Sequence, residues 1–195
     1  MLRQIKSTPN LLTLLRLIFI PFIVISIVEH HYGWALGLFI AAGISDGLDG
    51  LLARLLHQRT LLGQYLDPIA DKLLLSTMFL VLAITHDVDR SLVIATVLVF
   101  TRDIMILIVC TLLYITGAMK LFRPSLFGKA NTLAQIVTIP LVLLDQVYKA
   151  PWIATAKMIF VYATIVLTVI SGVHYLVQVA FKLRHASARA ADSRK

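Results

Sequence analysis

The sequence predicts an all-α membrane protein of six crossing helices, and three observations carry that prediction. Hydrophobic residues make up 59% of the 195 residues, only 14% are charged, and mean hydropathy is +0.88. A soluble domain of that length has no way to bury so much apolar surface. The apolar residues also gather into six segments, at 11–28, 33–56, 66–85, 91–118, 131–147 and 152–181. Each approaches the roughly 20 residues that a helix needs to cross the hydrocarbon core. Finally, the junctions carry charge or helix breakers: His30-His31-Tyr32-Gly33, Gln58-Arg59-Thr60, His86-Asp87-Val88-Asp89-Arg90 and Ala150-Pro151. Open strands are excluded, because lipid offers unpaired backbone groups no partner.

The elements follow in order. Arg3 and Lys6 ahead of Pro9 suggest a short juxtamembrane helix over residues 1–9. The first apolar segment is long enough to span and lacks a small-residue cleavage site, so it reads as a retained helix. Pro21 and Pro140 fall inside segments and are expected to kink them. The second, fourth and sixth segments run longer and should tilt or project from the bilayer. Tyr32, Trp34, Tyr148 and Trp152 sit at segment ends, as an interfacial aromatic belt requires. Cys110, the single cysteine, excludes a disulfide framework and reads as a buried thiol. The six histidines show no ligand spacing. One transmembrane domain covers 1–181, and the basic tail 182–195 is expected on the membrane surface or disordered.

Charge sets the orientation. With six spans both termini share a side. That side holds Arg3, Lys6, Arg54, Arg59, Lys120, Arg123, Lys129, Lys182, Arg184, Arg189, Arg194 and Lys195, against Arg90, Lys149 and Lys157 on the other. The asymmetry puts both termini in the cytoplasm, in a multi-pass inner-membrane protein. The net charge of +8 then reflects anionic lipid headgroups and topology, and nucleic acid is not an expected partner.

Ionisable groups are costly within apolar spans, so each one asks for a reason. They concentrate in two runs, Ser45-Asp46-Gly47-Leu48-Asp49-Gly50-Leu51-Leu52-Ala53-Arg54 and Gly63-Gln64-Tyr65-Leu66-Asp67-Pro68-Ile69-Ala70-Asp71-Lys72. On helices, Asp46 and Asp49 share one face, and so do Asp67 and Asp71. The first pair closes the second segment and the second opens the third. A short turn near Arg59 to Gly63 would let the two helices pack antiparallel, with all four carboxylates meeting near the membrane surface. Such a group repels itself unless cations neutralise it. Oxygen ligands, with no cysteine or histidine among them, suit Mg²⁺ or Mn²⁺. Two such metals can clamp a diphosphate. Gly50 and Ala53 lie on the face of Asp46 and Asp49 and would admit a ligand closely, while Arg54 can pair with phosphate oxygens. Any one of these residues alone reads better as a helix cap or a packing contact. Together they match Asp-x2-Asp-Gly-x2-Ala-Arg-x8-Gly-x3-Asp-x3-Asp at every fixed position, a coincidence on the order of 10⁻⁸ from composition alone.

That pattern is the signature of the CDP-alcohol phosphatidyltransferases, which the sequence resembles over most of its length. The likeness extends to Pro9-Asn10-Leu11-Leu12-Thr13-Leu14-Leu15-Arg16 and to Gly128-Lys129-Ala130-Asn131-Thr132. The resemblance implies a six-helix fold, a homodimer, and a site open to the cytosolic leaflet. There a phosphatidyl group passes from CDP-diacylglycerol to a hydroxyl acceptor, releasing CMP. It implies that Asp46, Asp49 and Asp67 hold two divalent cations. Asp71 joins that shell and serves as base, while Asp46, Gly50, Ala53, Arg54 and Gly63 line the CDP moiety.

The acceptor is less fixed. The N-terminal Pro-Asn-x-x-Thr-x-x-Arg run resembles the branch containing phosphatidylglycerophosphate synthases and CMP-forming cardiolipin synthases. Arg102, Arg123 and Lys129 are candidates for holding an acceptor phosphate; Arg102 reads equally as a salt bridge to Asp103 or to an aspartate of the site. Phosphatidylglycerophosphate synthases usually show Gly-Lys-x-Lys-Thr before the fifth span, where this chain has Asn131. They usually show Arg-Glu where it has Thr101-Arg102-Asp103. Those departures, with Arg123-Pro124-Ser125, resemble the cardiolipin synthases, so glycerol 3-phosphate and phosphatidylglycerol both stand as acceptors. A divalent-cation transporter is the competing class. It fits poorly, because the carboxylates sit at helix ends and no inverted repeat is visible. A catalytically idle lipid-binding scaffold is disfavoured by the intact signature.

Overall fold

The computed structural model describes residues 8–55, 61–85, 89–115 and 126–192, with side chains over 15–45, 47, 70–85, 89–109, 111, 115 and 126–178. Six helices account for nearly all of it: α1 Thr8–Val28, α2 Tyr32–Leu55, α3 Leu61–Ile84, α4 Arg90–Ile115, α5 Leu126–Tyr148 and α6 Pro151–Asp192. The all-α class and the six segments are as expected. Stretches long and apolar enough to cross a membrane are found, among the described residues, in Arg90–Val109, Leu126–Tyr148 and Pro151–Gln178. Leu15–Val28 and Tyr32–Ser45 are shorter apolar stretches among the described residues.

Two turns are compact enough to need a left-handed residue. After α1, His30 takes φ 60°; its N–H donates to Ile27 O at 3.0 Å, and that of His31 to Ser26 O at 2.8 Å. This is a Schellman cap with histidine where glycine is usual. After α5, Lys149 takes φ 46° and its N–H donates to Asp145 O at 3.0 Å. Pro151 then opens α6, where a helix has no use for the N–H that proline lacks.

Side-chain bonds fix the directions of the helices. Thr96 of α4 donates to Phe79 O of α3, Thr138 of α5 pairs with Thr164 of α6, and Arg102 of α4 reaches Ser171 of α6. Successive helices therefore alternate in direction. α1 packs against α2 and α3; α5 packs against α6, α2 and α3; α4 packs against α3 and α6. The expected direct antiparallel packing of α2 on α3 is not among the main helix contacts of the described residues. Both helices lean instead on α1 and α5.

The alternation divides the bundle into two ends. The apolar core gathers Ile23, Ile27, Phe39, Met78, Phe79, Leu82, Leu92 and Leu143, all from one end. The other end receives the first half of α1, α3 and α5 and the second half of α2, α4 and α6, and most of the buried polar residues.

The sixth helix departs from expectation. It runs 42 residues to Asp192, so residues 182–192 continue a helix where a surface-lying or disordered tail was expected. Ala, Arg, Lys and Leu at 180–191 favour helix and no glycine or proline interrupts them. α1 and α5 run through Pro21 and Pro140. Trp34, Tyr148 and Trp152 are exposed at helix ends, as a belt requires. The juxtamembrane segment 1–7 and Arg123 lie outside the described residues.

Candidate active site

The polar end is built from helix ends that local sequence dictates. α2 carries Asp46, Asp49, Gly50, Ala53 and Arg54 in its last ten residues, and α3 carries Gly63, Asp67 and Asp71 in its first half. Residues 56–60 join the two helices, so both aspartate pairs belong to the same end of the bundle. Among the described side chains no three of His, Cys, Asp and Glu meet. Of the four aspartates, Asp71 alone has a described side chain. The donor set nonetheless fits a hard divalent cation. It offers four carboxylates from two joined helix ends, with no cysteine or histidine at a motif position.

Asp71 is 44% exposed and receives a hydrogen bond from Nη1 of Arg16, a residue of α1 that is 1% exposed. Burying a guanidinium is tolerable only against a charged acceptor, and the pairing supplies one. Lys72, next in sequence, is drawn the other way: its Nζ lies 2.8 Å from Asp103 Oδ1. Arg102 Nη1 donates to the same oxygen at 2.8 Å, and its Nη2 donates to Ser171 Oγ at 3.0 Å. Asp103 thus serves two cations. The salt bridge weighed for Arg102 is present, formed with its neighbour. Lys129 is exposed on the first turn of α5.

A row of buried polar residues runs along α6. Thr164, Thr168, Ser171 and Tyr175 are spaced four, three and four apart, which keeps them on one face. Thr164 meets Thr138, Thr168 donates to Asn131 Oδ1 at 2.9 Å, and Ser171 accepts from Arg102. Asn131 is 0% exposed, so its amide faces α6 inside the bundle. Among the described residues, Asn131 Nδ2, Arg102 Nε and Ser45 Oγ are buried without a protein partner. Buried donors of this kind are commonly satisfied by water or ligand.

Three of these features escaped the sequence reading. Arg16 closes the Pro9–Arg16 run, and the sequence alone gives it no role of its own. The Lys72–Asp103 bridge links residues on different helices. The row on α6 was readable, because hydroxyls at 164, 168 and 171 recur at helical spacing in an otherwise apolar stretch.

Comparison with known proteins decides what this end belongs to. A model of the CDP-alcohol phosphatidyltransferases matches residues 6–170. The chain belongs to the CDP-alcohol phosphatidyltransferase family. It is 31% identical over 184 residues to the CDP-diacylglycerol–glycerol-3-phosphate 3-phosphatidyltransferase of Aquifex aeolicus, covering 91% of this chain and 97% of that one. It is 33% identical over 173 residues to the protein of the same name from Haemophilus influenzae, covering 87% and 91%. A Mycobacterium bovis protein provisionally named a cardiolipin synthase is 33% identical over 144 residues, 73% of this chain and 67% of that one. The chain is accordingly a phosphatidyltransferase of membrane lipid metabolism, in a family generally dependent on divalent cations. Membership sets aside the transporter reading.

Proposed function

We propose that this phosphatidyltransferase moves the phosphatidyl group of CDP-diacylglycerol onto glycerol 3-phosphate, giving phosphatidylglycerophosphate and CMP. The observation that carries the reading is the unaltered Asp46, Asp49, Gly50, Ala53, Arg54, Gly63, Asp67 and Asp71 set on two joined helix ends. The names of the Aquifex and Haemophilus relatives support the acceptor.

In this reading the acceptor hydroxyl oxygen attacks the phosphorus that bears the diacylglycerol. The bond from that phosphorus to the bridging oxygen breaks, and CMP leaves with the oxygen. Asp71 accepts the hydroxyl proton, because an alcohol is a poor nucleophile at neutral pH. Asp46, Asp49, Asp67 and Asp71 would hold two divalent cations, Mg²⁺ or Mn²⁺, whose chemistry there is neutralisation of the diphosphate. Gly50, Ala53 and Gly63 leave room for the CDP moiety and Arg54 pairs with its phosphates. Arg102, Arg123 and Lys129 are the cations proposed for the acceptor phosphate. The working protein is a homodimer of six-span subunits in the inner membrane, with termini and site facing the cytoplasm.

Phosphatidylglycerol as acceptor, giving cardiolipin, is a second reading. It is favoured by the Mycobacterium bovis relative and by asparagine, not lysine, at position 131. Purified protein is tested with labelled CDP-diacylglycerol and each acceptor separately, in Mg²⁺ or Mn²⁺. CMP release with glycerol 3-phosphate and not phosphatidylglycerol is expected. The reverse pattern installs the second reading, and no CMP with either acceptor removes both.

A further inference from the structure

We infer that Arg16 is a positioning residue, whose buried guanidinium holds the Asp71 carboxylate in the orientation that accepts the acceptor's proton. The inference rests on the assignment of Asp71 as base. Three observations carry it. Arg16 heads the fully buried side chains by volume among the described residues, yet it sits in the leucine- and isoleucine-rich helix α1, where a charge is costly. It meets Asp71 across 55 residues of sequence, so the contact is made only by the folded bundle. The pair is also lopsided: the arginine is sealed at 1% exposure while the carboxylate stays 44% exposed. The arginine braces from inside a carboxylate that can still be reached.

The neighbouring charges fit the same arrangement. Lys72 is engaged by Asp103, 2.8 Å away, and Arg102 by Asp103 and Ser171, so those cations are drawn to α4 and α6 while Asp71 is engaged by α1. A guanidinium is also the better brace. Its donors form a rigid planar fork that fixes a carboxylate's direction, whereas an ammonium acts as a point charge.

The test uses the full-length protein in detergent with CDP-diacylglycerol, glycerol 3-phosphate and Mg²⁺. Arg16→Gln should lower kcat at least ~30-fold with both KM values within about threefold, the pattern of an interaction that matters in the transition state. Arg16→Lys should fold and recover only part of that loss, remaining roughly tenfold below the parent because the fork is gone. On an Asp71→Asn background, Arg16→Gln should cost a further factor of no more than about two, since residues that act as a unit are not additive. Thermal midpoints in EDTA, free of substrate and metal, give an independent readout. The double variant should melt above the value that the sum of the two single losses gives, because removing either partner already costs most of what the pair contributes. Should Arg16→Gln fail to fold, Arg16→Lys carries the kinetic test. A kcat for Arg16→Lys within twofold of the parent overturns the inference. So does a raised acceptor KM at unchanged kcat, which makes Arg16 a substrate contact. Wild-type turnover by Asp71→Asn removes the base, and the inference with it. An inactive Asp71→Asn beside a fully active Arg16→Gln removes the inference alone.

Discussion

The two ends of the bundle are held by different physics. At the far end Ile27, Phe39, Phe79, Leu82, Leu92 and Leu143 interlock, and the helices meet through shape. At the site end the buried residues include Arg16, Ser45, Asn131, Gln135, Thr168 and Ser171, and charges and hydroxyls join apolar packing in holding the helices together. Lipid is as apolar as leucine, so the far end gains its cohesion from close packing more than from escape from water. The site end gives up part of that packing to keep polar groups inside. The contrast teaches that stability and chemistry have been separated along the helix axes, and variants should sort by end.

Chelation should have the largest effect, and only at the site end. Stripping with EDTA should abolish CMP release, with Mg²⁺ or Mn²⁺ restoring it, while helical content by circular dichroism stays unchanged. Residual turnover after thorough stripping would break the two-metal reading. Phe79→Ala is the counterpart at the far end. The cavity should cost about 3 kcal/mol, the low end for such truncations because lipid-facing alternatives soften it. Turnover per folded molecule should be preserved, and a kcat loss matching the stability loss would dissolve the separation of the ends.

Lys157 tests a charged knot at the far end. Its Nζ lies 2.8 Å from Asp89 and 2.7 Å from Asp145, clasping α6 to the residue before α4 and to the end of α5. Lys157→Met should destabilise by about 2 kcal/mol, less than for a fully buried pair because Asp89 is half exposed. Unfolding in detergent measures it, and Asp145→Asn on the same background should restore part. Thr138→Val removes the hydroxyl pair with Thr164 and should cost only about 0.6 kcal/mol, the average for hydrogen bonds between membrane helices. Smallest is Lys149→Gly. Relief of the left-handed backbone should slightly outweigh glycine's extra freedom when unfolded, raising stability by about 0.5 kcal/mol with no change in activity.

What the sequence revealed, and what it hid, follows the same division between local and distant contacts. Helix positions were legible because apolar runs and breakers act locally: α5 ends at Tyr148 before Ala150-Pro151, close to the segment boundary. The aspartate runs were legible for the same reason, as their spacing within one helix reads directly off the chain. Side-chain meetings between helices were not. Arg16 with Asp71 and Lys157 with Asp89 depend on which helix faces meet, and an isolated span carries little record of that. The packing of α2 and α3 on α1 and α5 was hidden for the same reason, since adjacency in sequence does not say which helices meet. Composition alone did not show the helix running on into the tail, as basic and small residues suit a helix as well as a disordered stretch of chain.

The buried arginine also bears on how the protein is made. Arg16 leaves the ribosome with α1, and its partner Asp71 follows 55 residues later. At about 5–20 residues per second, synthesis of that stretch takes several seconds. Through that interval α1 has a charge worth roughly 2.5–3.5 kcal/mol against entering lipid at the helix centre, and Asp71 does not yet exist. The bridge can therefore form only once α3 has been made, and until then the leucines and isoleucines of α1 have to offset the arginine.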